Sequence, residues 1–132
     1  MVFRIVKRFE FCSSHRLIRS DLDEEKNYQL FGKCFNTPSH GHNYILEVTV
    51  ESKELVNGMV MNFSTLKDIV NKRIIDVYDH QFLNDKMNCI TTAENLCLLF
   101  YRNLKEDISN GMRIKKVRIW ETSTSYAEYE VV

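Results

Sequence analysis

The stretch HGHNYILEVTV, residues 40–50, alternates with a period of two: His42, Tyr44, Leu46, Val48 and Val50 fall on one face, and by parity His40 joins them. Successive side chains of a β-strand point to opposite faces, so this is a strand whose apolar face ends in two histidines. Upstream, FRIVKRFEF (residues 3–11) repeats the pattern through Phe3, Ile5, Phe9 and Phe11, with Lys7 the exception. Residues 18–33 between the two strands are polar and charged, without clean periodicity, and read as a loop or excursion. If the strands pair as a hairpin across it, His15, at the end of the first strand on its apolar parity, lies near His40 and His42.

Beyond a turn at residues 57–59, the period changes. Phe63, Leu66, Ile69, Val70 and Ile74 recur at helical spacing, with Asn62 as candidate N-cap. Ala93, Leu96, Cys97, Phe100 and Leu104 mark a second helix, and Thr91 and Glu94 have capping-box spacing at its start. RIKKVRIWE (113–121) and SYAEYEVV (125–132) close the chain as two strand-like runs around a polar TST. The order β-β-α-α-β-β predicts an α+β fold: an antiparallel four-stranded sheet with two helices on one face. A sheet this small has exposed edges, which pairing between subunits commonly covers, so a homo-oligomer is expected.

Bulk properties narrow the function classes. The 132 residues fit one domain, 1–132, and 44% hydrophobic with 27% charged residues is an ordinary globular balance. Lys plus Arg and Asp plus Glu both number 18, so net charge is zero and no basic footprint for nucleic acid or an anionic membrane exists. No apolar run approaches the roughly 20 residues needed to span a bilayer. The four cysteines, Cys12, Cys34, Cys89 and Cys97, show no CxxC pairing and no signal segment precedes them, which predicts free thiols and a cytoplasmic location.

Residues i and i+2 of a strand share a face, so His40 and His42 can converge on one ion with Gly41 passing behind. Zinc favours imidazole nitrogen, and a catalytic zinc keeps three protein ligands and one open position; His15 can be the third. The bland alternative is a surface HxH pair and a satisfied core histidine, and spacing alone leaves both readings open. Cys89 and Cys97 fit small buried hydrophobes. Cys34 follows Gly32 and Lys33 and precedes a polar turn, where a lysine and a nearby dication would favour the thiolate. Asp79-His80 reads either as a turn or as a carboxylate–imidazole pair. Glu121 continues the face of Val117 and Ile119, an odd place for a lone carboxylate.

FEFCSSHRL, LFGKCFNTPSHGHNY, YDHQFLND, TTAEN and WETSTSYAEY, taken together and in this order, resemble the 6-pyruvoyltetrahydropterin synthase family, which includes the queuosine-pathway enzyme 6-carboxytetrahydropterin synthase. The resemblance runs from about Phe9 to Tyr129. It implies a T-fold whose subunits associate into barrels, typically trimers that stack as hexamers, and zinc held by His15, His40 and His42. It implies 7,8-dihydroneopterin triphosphate as the small-molecule substrate. Cys34 would be the base, Asp79 and His80 a proton relay, and Glu121 the anchor of the pterin's amino-pyrimidine edge. Thr92 and Glu94 align with further pterin contacts, although Glu94 also fits a capping role. Cys12, Ser39 and Tyr78 depart from the family's usual residues without removing a proposed catalytic group.

The short gap between DHQFLND and TTAEN, and the ETSTSYAEY ending, look more like the carboxy-forming members; the pyruvoyl-forming synthases are the alternative. A non-catalytic zinc- or pterin-binding protein has no need of the Cys34, Asp79 and His80 set. A zinc hydrolase lacks the HExxH pattern. For the triphosphate, Arg16 and Lys33 are the candidate contacts.

Overall fold

A computed structural model describes residues 1–132. Strands β1 (Phe3–His15), β2 (His40–Ser52), β3 (Met112–Thr122) and β4 (Ser125–Glu130) form one antiparallel sheet in sequential order. β1 and β2 run in register without a break, from Phe3 opposite Ser52 to His15 opposite His40. The predicted hairpin across the long excursion is therefore present, with the predicted face. Phe9, Phe11, Tyr44, Leu46, Val48 and Val50 are buried together with Val117 and Ile119 of β3.

The helices that cover this face begin where expected. Helix α2 (Phe63–Val70) is capped by the Asn62 side chain, which accepts from the Ser64 amide. It continues through a π-turn (Asn71–Ile75) into the short α3 (Asp76–Tyr78). Helix α4 (Ala93–Leu104) lies over β3 and β4 and buries Ala93, Leu96, Cys97, Phe100 and Leu104, the stripe read from the sequence. Between β2 and α2, Asn57 and Gly58 both have positive φ and turn the chain between Val56 and Met59. No helix is long and apolar enough to cross a membrane.

Four expectations need correction. The excursion of residues 18–33 contains a helix, α1 (Glu24–Phe31), capped by Asp23 and followed by a 3₁₀ turn, Gly32–Phe35. Its short length and lack of an apolar stripe hid it; buried Asn27 holds it instead, bonding the backbone at Arg19, Leu22 and Asp23. The cap of α4 is Thr92, which accepts from the Asn95 amide, so the cap lies one residue beyond Thr91, and the Asn95 side chain donates to the Ile90 carbonyl instead of closing a box. Phe63 is exposed at the first turn of α2. Cys89 is exposed rather than packed.

Neighbours on α2 test this assignment of faces. Leu66 is fully buried and Lys67 is exposed. In urea unfolding, Leu66→Ala is expected to cost about 2–5 kcal/mol, whereas Lys67→Ala should stay within about 0.5 kcal/mol of wild type.

Candidate active site

Register delivers the histidines. His15 and His40 are opposite on β1 and β2, and His42 lies two residues along the same face. Their ring centroids are 4.6 Å (His15–His40), 5.1 Å (His15–His42) and 5.0 Å (His40–His42) apart. One nitrogen from each can be chosen so that all three lie within 4.8 Å of one another. His15 is buried, and its Nδ1 lies 2.7 Å from the Thr91 carbonyl and 3.2 Å from the Thr91 hydroxyl. A carbonyl can only accept, so Nδ1 carries the proton and the Nε2 lone pair is free. The Nε2 atoms of His15 and His42 are buried without a hydrogen-bond partner. Buried polar atoms are rarely left so. Three imidazoles whose nitrogens converge, two of them buried and unpartnered, fit a divalent metal that keeps an open position.

Glu121, at the end of β3, brings Oε1 to 3.6 Å from His42 Nε2. The β2–β3 ladder stops at Ile45 opposite Trp120, so β2 and the tip of β3–β4 splay beyond that point. A cavity of about 550 Å³ occupies this fork, lined among others by His42, Asn43, Trp120, Glu121 and Arg8. The carboxylate therefore borders both the histidine cluster and open space large enough for a flat ring.

Asp79 and His80 follow α3 directly and are held against the free edge of β1. The Cys12 amide donates to Asp79 Oδ1 at 2.8 Å, and the His80 amide donates to the Cys12 carbonyl at 2.6 Å. Those two bonds hold His80 at φ +57°, a left-handed conformation that a non-glycine residue adopts only when its surroundings impose it. His80 Nδ1 lies 2.9 Å from Asp79 Oδ2, leaving Nε2 exposed to exchange protons. The Cys12 amide, first among several causes, keeps the Asp79 carboxyl below the usual range, so it stays ionised.

Cys34 is half-buried in the 3₁₀ turn before β2. The Leu17 amide donates to its carbonyl at 2.7 Å, tying that turn to the chain just after His15. Arg16 reinforces the tie: Nε and an Nη donate to the Phe35 carbonyl at 2.9 and 2.6 Å, and the guanidinium stacks 4.3 Å from the Phe35 ring. Arg16 is thus spent on structure. No hydrogen bond joins Cys34 to the Asp79–His80 pair within the chain. Thr92 lies in the segment after Thr91, and Glu94 stays exposed in the first turn of α4. The sequence offered Thr91 only as a helix cap; its contact with His15 is made mainly by a backbone carbonyl, which has no side-chain signature.

Comparison with known proteins agrees with this geometry. Residues 4–131 match the profile of the family described as 6-pyruvoyl tetrahydropterin synthase. The chain belongs to that family. It is 34% identical to the 6-pyruvoyl tetrahydrobiopterin synthase of Homo sapiens, over 96% of this chain and 90% of the relative. It is 33% identical to the 6-carboxy-5,6,7,8-tetrahydropterin synthase of Haemophilus influenzae, over 98% and 99%. The solved structure of Caenorhabditis elegans 6-pyruvoyl tetrahydropterin synthase superposes with a TM-score of 0.91 at 28% identity, covering 100% of this chain and 97% of that one. The T-fold predicted for the subunit is that of this family.

Burial, ahead of every other cause, holds both His15 and His42 below the ordinary imidazole value of 6.5. The unfolded chain then binds more protons than the folded one just below 6.5, so stability rises with pH across that window and falls as acid enters it. In metal-free protein the urea midpoint should drop between about pH 7 and pH 5. The slope should be shallower in His15→Leu, which removes one of the two groups.

Proposed function

We propose that this chain is a zinc-dependent lyase acting on 7,8-dihydroneopterin triphosphate. With water, it forms 6-carboxy-5,6,7,8-tetrahydropterin and releases acetaldehyde and triphosphate, the reaction of queuosine biosynthesis. The observation that carries the proposal is the meeting of three converging histidines with Glu121 at one end of the sheet. The short DHQFLND–TTAEN gap and the ETSTSYAEY ending favour the carboxy-forming product. A second reading, elimination of triphosphate to a 6-pyruvoyl product in tetrahydrobiopterin synthesis, is favoured by relatives of that name at 34–36% identity.

His15, His40 and His42 would hold the zinc, which when bound polarises the side-chain oxygens of the substrate and stabilises charge developing there. Glu121 accepts two neighbouring donors from the amino-pyrimidine edge, a pairing suited to a carboxylate, and so fixes the ring. Thr92 and Glu94 add contacts to the pterin. Cys34, as thiolate, takes the weakly acidic proton beside the ring. Asp79 orients the His80 tautomer so that Nε2 can pass protons to and from the thiol or the substrate. Neither binding pterin nor holding zinc requires this base and relay. Copies of the chain associate through the free edges of β1 and β4 into a trimer or hexamer, and the enzyme works in the cytoplasm.

Mass spectrometry of products from zinc-loaded protein and dihydroneopterin triphosphate tests the reading. Acetaldehyde with a 6-carboxy pterin is expected; a 6-pyruvoyl product would select the second reading, and no turnover would overturn both. Cys34→Ala should lower turnover by at least about 100-fold while zinc content stays at the wild-type level.

A further inference from the structure

The face of the sheet opposite the helices is striped by charge. Arg8, Glu47, Arg118 and Glu128 stand directly opposite one another across all four strands. Their signs alternate from β1 to β4, and neighbours in the row approach to 3.4, 3.8 and 2.8 Å. A second row begins in the same order, with Arg4 and Arg113 flanking the Glu51 carboxylate at 2.9 and 2.7 Å. Between the two, Lys116 of β3 lies 3.4 Å from Glu130 of β4. At both sheet edges the last charge therefore has a partner on its inner side only. Arg4 and Arg8 end the β1 edge, their side chains 50% and 63% exposed, and Glu128 and Glu130 end the β4 edge. The strands as wholes keep this polarity. β1 carries Arg4, Lys7 and Arg8 against the single acid Glu10, and β4 has no Lys or Arg.

Both edges are also unfinished. No backbone hydrogen bond reaches Phe3–Phe11 of β1 from outside β2, or β4 from outside β3. Exposed Phe3 and Val6 on one edge, and Tyr126 and Tyr129 on the other, add apolar surface that a partner strand would cover. Three edge pairings are open to two copies of this chain. Pairing β1 with β1, or β4 with β4, is two-fold and brings arginine to arginine or glutamate to glutamate. Like charges directly opposite destabilise a strand pair. Pairing β4 of one copy with β1 of the next brings the acidic edge to the basic one and carries the alternation into the next sheet. Neighbouring strands stay antiparallel there, because β1 and β4 run in opposite directions within the sheet. A head-to-tail contact uses two different surfaces, so it propagates until a ring closes.

We infer that the Arg4–Arg8 edge of one copy pairs with the Glu128–Glu130 edge of the next, and that these charges set the head-to-tail direction of assembly. The inference rests on the association of copies proposed above and adds the residues that give it a direction.

The test uses the zinc-loaded full chain in sedimentation velocity and in cross-linking. Arg4→Glu/Arg8→Glu should weaken assembly about tenfold or more, with circular dichroism and zinc content as in wild type. Glu128→Gln/Glu130→Gln, which removes the opposite edge's charge without adding repulsion, should weaken it as well. The control Lys67→Glu, on α2 and off both edges, should sediment as wild type does. Arg8→Lys keeps the charge and adds an amine that a zero-length carbodiimide joins to a touching carboxylate with loss of water. In a mixture of isotopically light and heavy copies, it should link position 8 of one copy to Glu128 or Glu130 of another. Linkage to Glu47 within one copy is the internal control. A monomeric wild type, a two-fold dimer without the mixed link, or both edge variants sedimenting as wild type would each overturn the inference. Turnover of the pterin by a monomeric wild type would overturn it and leave the proposed reaction standing. Head-to-tail links without turnover would do the reverse.

Discussion

The unbroken register of β1 against β2 is the constraint on which the site depends. Thirteen consecutive pairs place the odd residues of β1 and the even residues of β2 on one face, so that His15 ends beside His40 and His42. A slip of one residue would send one strand's side chains to the opposite face and scatter the cluster. Packing fixes the register: Phe11 and Tyr44, directly opposite, stack at 4.8 Å, and both are buried with Phe9 and Leu46 under the helices. The hydrophobic core and the putting-together of three nitrogens are thus one event.

A second device completes that end of the sheet. The segment after α3 fills only the Cys12–Arg16 end of the β1 edge that the other strands leave open. The Ser14 amide donates to the Gln81 carbonyl at 3.0 Å, and the Asn84 side chain both accepts from the Arg16 amide and donates to its carbonyl. Asn84 therefore stands in for a strand. The same docking satisfies an edge that would otherwise expose unpaired backbone groups and holds Asp79 and His80 in place. Buried Ser13, bonded to the Tyr78 carbonyl, anchors the start of the segment.

Much of this was legible in the sequence because periodicity reports burial. The strand alternation, the α4 stripe and the convergence of His15 with His40 and His42 all follow from which residues share a face. What escaped depends on backbone groups or on polar side chains acting locally. Helix α1 is organised by Asp23 and Asn27 rather than by an apolar stripe, the cap at Thr92 rather than Thr91 is set by which hydroxyl meets the Asn95 amide, and the Thr91 carbonyl beside His15 has no letter in the sequence.

In the proposed reaction the histidines and Cys34 have separate duties: three imidazoles for the metal, a free sulfur for the proton. X-ray absorption at the zinc edge of the fully loaded protein measures that division directly. It should show imidazole nitrogens and other light atoms at about 2.0–2.1 Å and no sulfur shell. A zinc–sulfur distance near 2.3 Å would make Cys34 a ligand rather than a base and contradict the account.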